Sequence, residues 1–84
     1  MPEEKFFLQK KDTETTDPDY FLYTRKEYNG IRYVIRKTTK TGTDAVYGYY
    51  AGGVDDDADD DWTNRASLTY LDYCPYRDAE LVDV

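Results

Sequence analysis

The segment from Tyr20 to Thr38 constrains this chain more than any other. Tyr20-Phe21-Leu22-Tyr23-Thr24-Arg25-Lys26-Glu27-Tyr28 leads into Asn29-Gly30 and out through Ile31-Arg32-Tyr33-Val34-Ile35-Arg36-Lys37-Thr38. Both arms are rich in aromatic and β-branched residues, which suit a pleated surface, and Asn-Gly is the preferred pair for a two-residue type I′ turn. The reading is a β-hairpin with Asn29 and Gly30 at its tip. Such a turn sets Tyr28 opposite Ile31, Lys26 opposite Tyr33 and Thr24 opposite Ile35. On the other face Glu27 meets Arg32, Arg25 meets Val34 and Tyr23 meets Arg36. The first face, with Leu22, Ile31, Tyr33 and Ile35, is the expected core face. The second is expected to carry an ion pair and a cation–π contact, each worth tenths to about 1 kcal/mol.

The remaining segments read around this hairpin. Phe6-Phe7-Leu8 marks a first strand within Glu3 to Leu8, and the polar stretch Lys10 to Asp19, with Pro18, reads as a loop. Thr39 to Thr43 is a polar connection with Gly42 as its turn residue, and Asp44 to Ala51 a third strand closed by Gly52-Gly53. Beyond an acidic run, Trp62, Ala66, Thr69, Tyr70 and Tyr73 share one helical face, yet Ser67 to Tyr73 also reads as a strand. A short helix or turn near 59–66 followed by a strand near 67–73 is the preferred reading. Pro75 stops that element, and Arg77 to Val84 is a polar tail in which Leu81 and Val82 dock. The expected fold is α+β, dominated by an antiparallel sheet with at most one short helix, with an all-β fold as the alternative. Residues 1–84 leave room for one domain and one modest core.

Charge divides the chain unevenly. Residues 1–42 carry nine Lys/Arg against seven Asp/Glu, a balance of +2, whereas residues 43–84 carry two against eleven, a balance of −9. The excess is densest between Asp55 and Asp61, where six of seven residues are aspartate. Like charges so close repel one another and stay solvated. Such asymmetry speaks to the sign of a partner rather than to the fold. It disfavours nucleic acid or an anionic membrane against the C-terminal half and favours a cationic surface.

Much chemistry is missing from the sequence. There is no histidine, so the commonest general base and the Ser-His and Cys-His pairs are absent. The only serine, Ser67, sits in Ala-Ser-Leu rather than a nucleophile elbow. Cys74 is the single cysteine, which excludes an intramolecular disulfide and the multi-cysteine zinc sites; it reads as an inert core thiol. An EF-hand loop started at Asp55 has suitable oxygens at Asp57 and Asp59, then fails with Asp60 at the glycine position and Ala66 at the bidentate position. No glycine pattern matches a phosphate-binding loop. No run approaches the roughly 18 apolar residues of a membrane span, and Met1-Pro2-Glu3-Glu4-Lys5 opens no secretory signal. The expectation is a non-enzymatic, cytoplasmic protein with no catalytic residue, metal, cofactor, membrane or small-molecule partner.

The acidic half is expected to be the partner-binding surface, comprising Asp44, Asp55, Asp56, Asp57, Asp59, Asp60, Asp61, Trp62, Asp72, Asp78 and Glu80, with Asp83 alongside. A strand advances roughly 3.3 Å per residue and each DNA strand carries one charge per about 3.4 Å, so consecutive aspartates match phosphate density. Ten tyrosines, three phenylalanines and one tryptophan supply rings, among them Trp62, Tyr47, Tyr49 and Tyr50 as candidate anchors. In size, acidity and the Asp55–Asp61 run, the chain resembles small phage-encoded DNA mimics that block restriction, repair or CRISPR effectors. That resemblance implies a stoichiometric inhibitor in the DNA- or PAM-reading groove of a basic nucleic-acid-binding protein, with no direct binding of nucleic acid. Two rivals use other features. Arg25, Arg32, Arg36, Lys37 and Lys40 with Tyr23 and Tyr33 suggest a base-stacking hairpin, and an exposed edge strand suggests an oligomerising protein.

Overall fold

A computed structural model describes residues 4–13, 18–28, 30–53, 57–76 and 79–83. The elements are β1 (Glu4–Asp12), β2 (Asp19–Glu27), β3 (Gly30–Thr41), β4 (Asp44–Gly52), α1 (Ala58–Thr63), a 3-10 turn at Arg65–Ser67, and β5 (Ala79–Val82). The five strands form one mixed sheet in the order β4-β3-β2-β1-β5. The first four pair antiparallel, and β5 runs parallel to β1. The strand-dominated α+β architecture expected from the sequence is therefore present.

The central hairpin forms in a register two residues from the expected one. Glu27 pairs with Gly30 and Lys26 with Ile31, so Gly30 belongs to the strand rather than the turn; residue 29 lies outside the described residues. The reason lies in the arms. The observed register sets Leu22 opposite Ile35 and Tyr23 opposite Val34, and all four side chains are buried. The Asn-Gly register would have set Leu22 opposite Lys37 and Val34 opposite Arg25. Matching apolar residues across the strands outweighs the turn preference. A two-residue slip leaves every side chain on its expected face, so the expected contacts survive as diagonals: Glu27 lies 3.3 Å from Arg32, and the Arg36 guanidinium sits 5.4 Å from the Tyr23 ring centre.

The second face, expected to carry an ion pair and a cation–π contact, also holds a core of its own. Tyr20, Leu22, Tyr33 and Ile35 form one buried cluster under Trp62, Leu68 and Tyr70, on what is called here the helix face. Phe6, Tyr23 and Val34 form another on the opposite face, under Cys74, Tyr76 and Leu81. Ile31, expected in the core, is 48% exposed because it lies one pair from the turn of the hairpin.

Four further expectations are corrected. β1 runs through Asp12, because Lys11 and Asp12 pair with Phe21 and Tyr20 past a bulge between Leu8 and Lys10; the loop is correspondingly shorter. Similarly, β3 continues to Thr41, leaving Gly42 at φ 64 and Thr43 as the turn, the left-handed conformation that glycine adopts without strain. Ser67–Tyr73 forms no strand, only a bridge from Leu71 to Tyr49. Tyr70 packs on the helix face and Cys74 on the other, so this segment crosses the β4 edge at Leu71 rather than running along it. The chain then spans the second face, where Tyr76 stacks on Phe6 at 5.3 Å. Finally, Ala79–Val82 pairs with Glu4–Phe7 as β5, where a docked polar tail was expected.

Gly52 is the tightest point of this packing. It lies across from Tyr33, and a Cβ added there would stand 2.0 Å from Tyr33 Cζ. Gly52→Ala is expected to destabilise the protein by at least about 1–3 kcal/mol through overpacking, read as a lower urea midpoint at unchanged slope. A midpoint equal to the parent's would mean that Tyr33 does not lie over this glycine.

Candidate acidic interface

Six residues are too few for a helix to persist alone in water, so α1 depends on what holds it. Its N-terminus is capped by Asp57, whose side chain accepts hydrogen bonds from the backbone N–H groups of Asp59 (3.0 Å) and Asp60 (3.3 Å). Asp59, Asp60 and Asp61 fill the first turn, where negative charge meets the positive end of the helix dipole. At the other end the Asn64 backbone N–H donates to the Asp60 carbonyl at 3.0 Å. The helix begins at Ala58 and ends at Thr63, close to the short helix expected near 59–66.

Docking onto the sheet comes from side chains far apart in sequence. The buried Tyr33 hydroxyl donates to the Asp61 carboxylate. Lys10 on β1 pairs with Asp59 at 3.0 Å. Arg65 bonds Asp12 at 2.7 Å, with its guanidinium 4.6 Å from the Trp62 ring centre and 5.5 Å from that of Tyr20. Trp62 and Ala58 pack against the helix-face core. Trp62 thus helps to seat the helix and is only half-buried.

The aspartates of this helix do not share one task. Asp57 caps it and Asp61 anchors it, while Asp59 (its side chain 84% exposed) and Asp60 point to solvent. Beside them opens a cleft of about 550 Å³ lined by Leu22, Thr24, Ile31, Lys10, Asp57 and Asp59.

The other expected site residues are scattered. Asp55, Asp56 and Asp78 lie outside the described residues. Asp44 opens β4 and Glu80 lies in β5, the strands at opposite edges of the sheet. Asp72 is exposed just after the Leu71 bridge. Glu80 stands 3.9 Å from Lys5, an exposed pair worth little. Asp83 accepts from the buried Tyr23 hydroxyl, on the face opposite Tyr33. Among the described residues, only Asp57, Asp59, Asp60 and Asp61, with Trp62, come together. Sequence reasoning missed Lys10, Asp12, Tyr33 and Arg65 as parts of the site, because each acts on a partner 28 to 53 residues away with no local pattern to mark it.

Other tyrosine hydroxyls also find protein acceptors. Tyr70 donates to the Arg65 carbonyl at 2.7 Å and Tyr76 to the Gly52 carbonyl at 2.6 Å. Burial, reinforced by the hydrogen bond to Asp83, pushes the Tyr23 phenol well above the ordinary tyrosine range. Burial first, then Tyr20 alongside, does the same to Tyr70. Among the described residues no group of three His, Cys, Asp or Glu is placed to hold a metal ion, and no helix is long and apolar enough to cross a membrane. Comparison with known proteins finds no matching family model, no matching curated protein and no matching solved structure.

Two outcomes are expected. Tyr33→Phe leaves the Asp61 carboxylate without its donor, and loss of a hydrogen bond to a charged group costs about 1.5–3 kcal/mol; chemical denaturation measures it, and a loss near zero would show that this bond does not seat α1. Because the Tyr23 and Tyr70 phenols are raised, the unfolded chain ionises first, near pH ~10. Their contribution to stability is full below that pH and falls as pH rises. Titration of phenolate absorbance beside circular dichroism should show the last tyrosines ionising only as the sheet unfolds. Complete ionisation of an intact sheet would contradict their burial.

Proposed function

We propose that this chain is a non-catalytic binding module whose α1 face takes a lysine- or arginine-rich surface of a nucleic-acid-binding protein and so competes with nucleic acid there. The observation that carries the reading is the cleft beside α1, which Leu22 and Ile31 line together with Asp57 and Asp59, and in which Lys10 on Asp59 already shows the kind of contact a partner's lysine would make. Lysine and arginine have this dual character, an aliphatic stem under a charged head. The charge balance supports the same partner. Lys5, Lys10, Arg25, Arg32, Lys40 and Arg65 each lie within 4 Å of an acid of the same chain, and the chain as a whole carries a net charge of −7. In its most specific form the target is a host defence protein, a CRISPR effector or restriction enzyme, inhibited in its DNA- or PAM-reading groove by a phage-encoded protein acting in the host cytoplasm.

The base-stacking alternative loses its platform. Tyr23 and Tyr33 are fully buried and lie on opposite faces of the sheet, so neither ring is available to a base.

Displacement tests the proposal. CRISPR effectors and restriction endonucleases bound to their duplexes are titrated with the protein and followed by mobility shift. Stoichiometric release of duplex is expected, weakening between about 50 and 200 mM salt as charge interactions are screened. The Asp59→Asn/Asp60→Asn pair removes the two most exposed charges of α1, gives up only the exposed Lys10–Asp59 ion pair, and spares the Asp57 cap and the Asp61 anchor. It should lose about tenfold or more in affinity with its thermal midpoint within a few degrees of the parent. Release by the double variant equal to the parent's, or no release from any such enzyme, would defeat the proposal.

A further inference from the structure

Lys10 reaches the acidic cleft because of an irregularity in β1. Phe7 and Leu8 pair with Thr24 and Tyr23, but Leu22 is then met by Lys10, where unbroken pairing would have set Gln9. One residue is added at this bulge, and side chains of a strand alternate between its faces. Without the bulge Lys10 would stand opposite Phe21, on the second face. With it, Lys10 stands opposite Leu22, on the helix face. Bulges commonly re-aim a side chain beside a functional site. This one also brings Asp12 opposite Tyr20, where Arg65 meets it.

The re-aimed lysine lines the cleft beside α1 together with Gln9 and Leu22, and its ammonium lies 3.0 Å from the Asp59 carboxylate. Lys10 thus holds an acid that a cationic partner needs. We infer that Lys10 is an internal competitor for the cleft, a placeholder that a partner's lysine or arginine must displace from Asp59. The inference rests on the acidic-interface reading and specifies how that interface is regulated.

Exposure suits a contact that yields. The Lys10 and Asp59 side chains are 46% and 84% accessible, so their pair is of the weak, screened kind and opens by the rapid rotamer changes of an exposed side chain. The Arg65–Asp12 pair, 26% and 20% accessible, is the fixed counterpart. The seat of α1 does not hang on Lys10, because the Tyr33 bond to Asp61, the Arg65–Asp12 pair and the packing of Trp62 remain when it leaves. Displacement also sets a threshold. A partner with one cation exchanges one ion pair on Asp59 for another and gains little. A segment with several cations also reaches Asp57 in the same cleft and the exposed Asp60, and so gains net contacts. Lys10 in this way tunes the site toward densely basic surfaces and against isolated lysines.

Calorimetric titration of the full chain at low salt tests this, with a blocked eight-residue peptide that alternates arginine with glycine as the probe. Lys10→Gln should bind the peptide about two- to fivefold more tightly than Lys11→Gln does. Lys11→Gln makes the same change of charge at an exposed position opposite Phe21, on the other face of the sheet. The gain should vanish in an Asp59→Asn background, as a double-mutant cycle requires of a direct pair, with thermal midpoints within a few degrees of the parent. In the unaltered protein the peptide should move the nuclear magnetic resonance signals of the Lys10 side chain toward those of Lys11, as the ammonium leaves Asp59. An affinity of Lys10→Gln no higher than that of Lys11→Gln, a gain that persists without Asp59, or Lys10 signals unmoved at saturation would each overturn the inference and leave the acidic interface standing. Absence of binding by both the parent and Lys10→Gln would overturn the interface itself, and the competitor with it.

Discussion

Leu22 opposite Ile35 and Tyr23 opposite Val34 make β2 and β3 apolar on both faces, and everything else in the molecule follows from covering them. A half-buried antiparallel sheet leaves one face to water. This one cannot, because adjacent residues in each strand are buried on opposite sides. An 84-residue chain has too little material for a second layer on each side. The solution is two short straps. From β4, the chain crosses the helix face as α1 and the 3-10 turn, rounds the β4 edge at Leu71, crosses the second face through Cys74 and Tyr76, and closes on β1 as β5.

Thin straps bury little apolar area, so they rely on directed polar contacts at the edge of each core. Tyrosine suits this, a ring for the interior joined to a hydroxyl that reaches its margin. Tyr33 to Asp61 ties the first strap, and Tyr76 to Gly52 and Tyr23 to Asp83 tie the second. The abundance of tyrosine and part of the abundance of aspartate thereby share one cause. Asp57 and Asp61 are needed by the fold, whereas Asp60 faces water and Asp59 is exposed beside its ion pair with Lys10. An acidic run that looks uniform along the chain divides into structural and outward-facing charges once the helix is seated.

The parts legible in the sequence were those written in local signals. Alternation and β-branching marked the strands, Gly42 marked its turn, and the aspartates before Trp62 marked a helix N-terminus. The site was legible in part, since Asp57, Asp59, Asp60, Asp61 and Trp62 do cluster. What escaped was set by contacts across long loops. The hairpin register was misjudged because Asn29-Gly30 is a local preference, while Leu22–Ile35 and Tyr23–Val34 are cross-strand pairs whose combined burial is larger. Ser67–Tyr73 has the composition of a strand, yet its tyrosines and the cysteine after them are drawn to two different faces.

By itself the sequence determined a small, acidic, strand-dominated domain, the faces of its central hairpin and the lack of histidine-based chemistry, since composition and period act within a few residues. Only the tertiary structure decided which face needed covering, which aspartates remain at the surface and where the chain crosses the sheet edge. Those outcomes depend on which distant side chains share one core, and packing energy, unlike propensity, is set by neighbours in space.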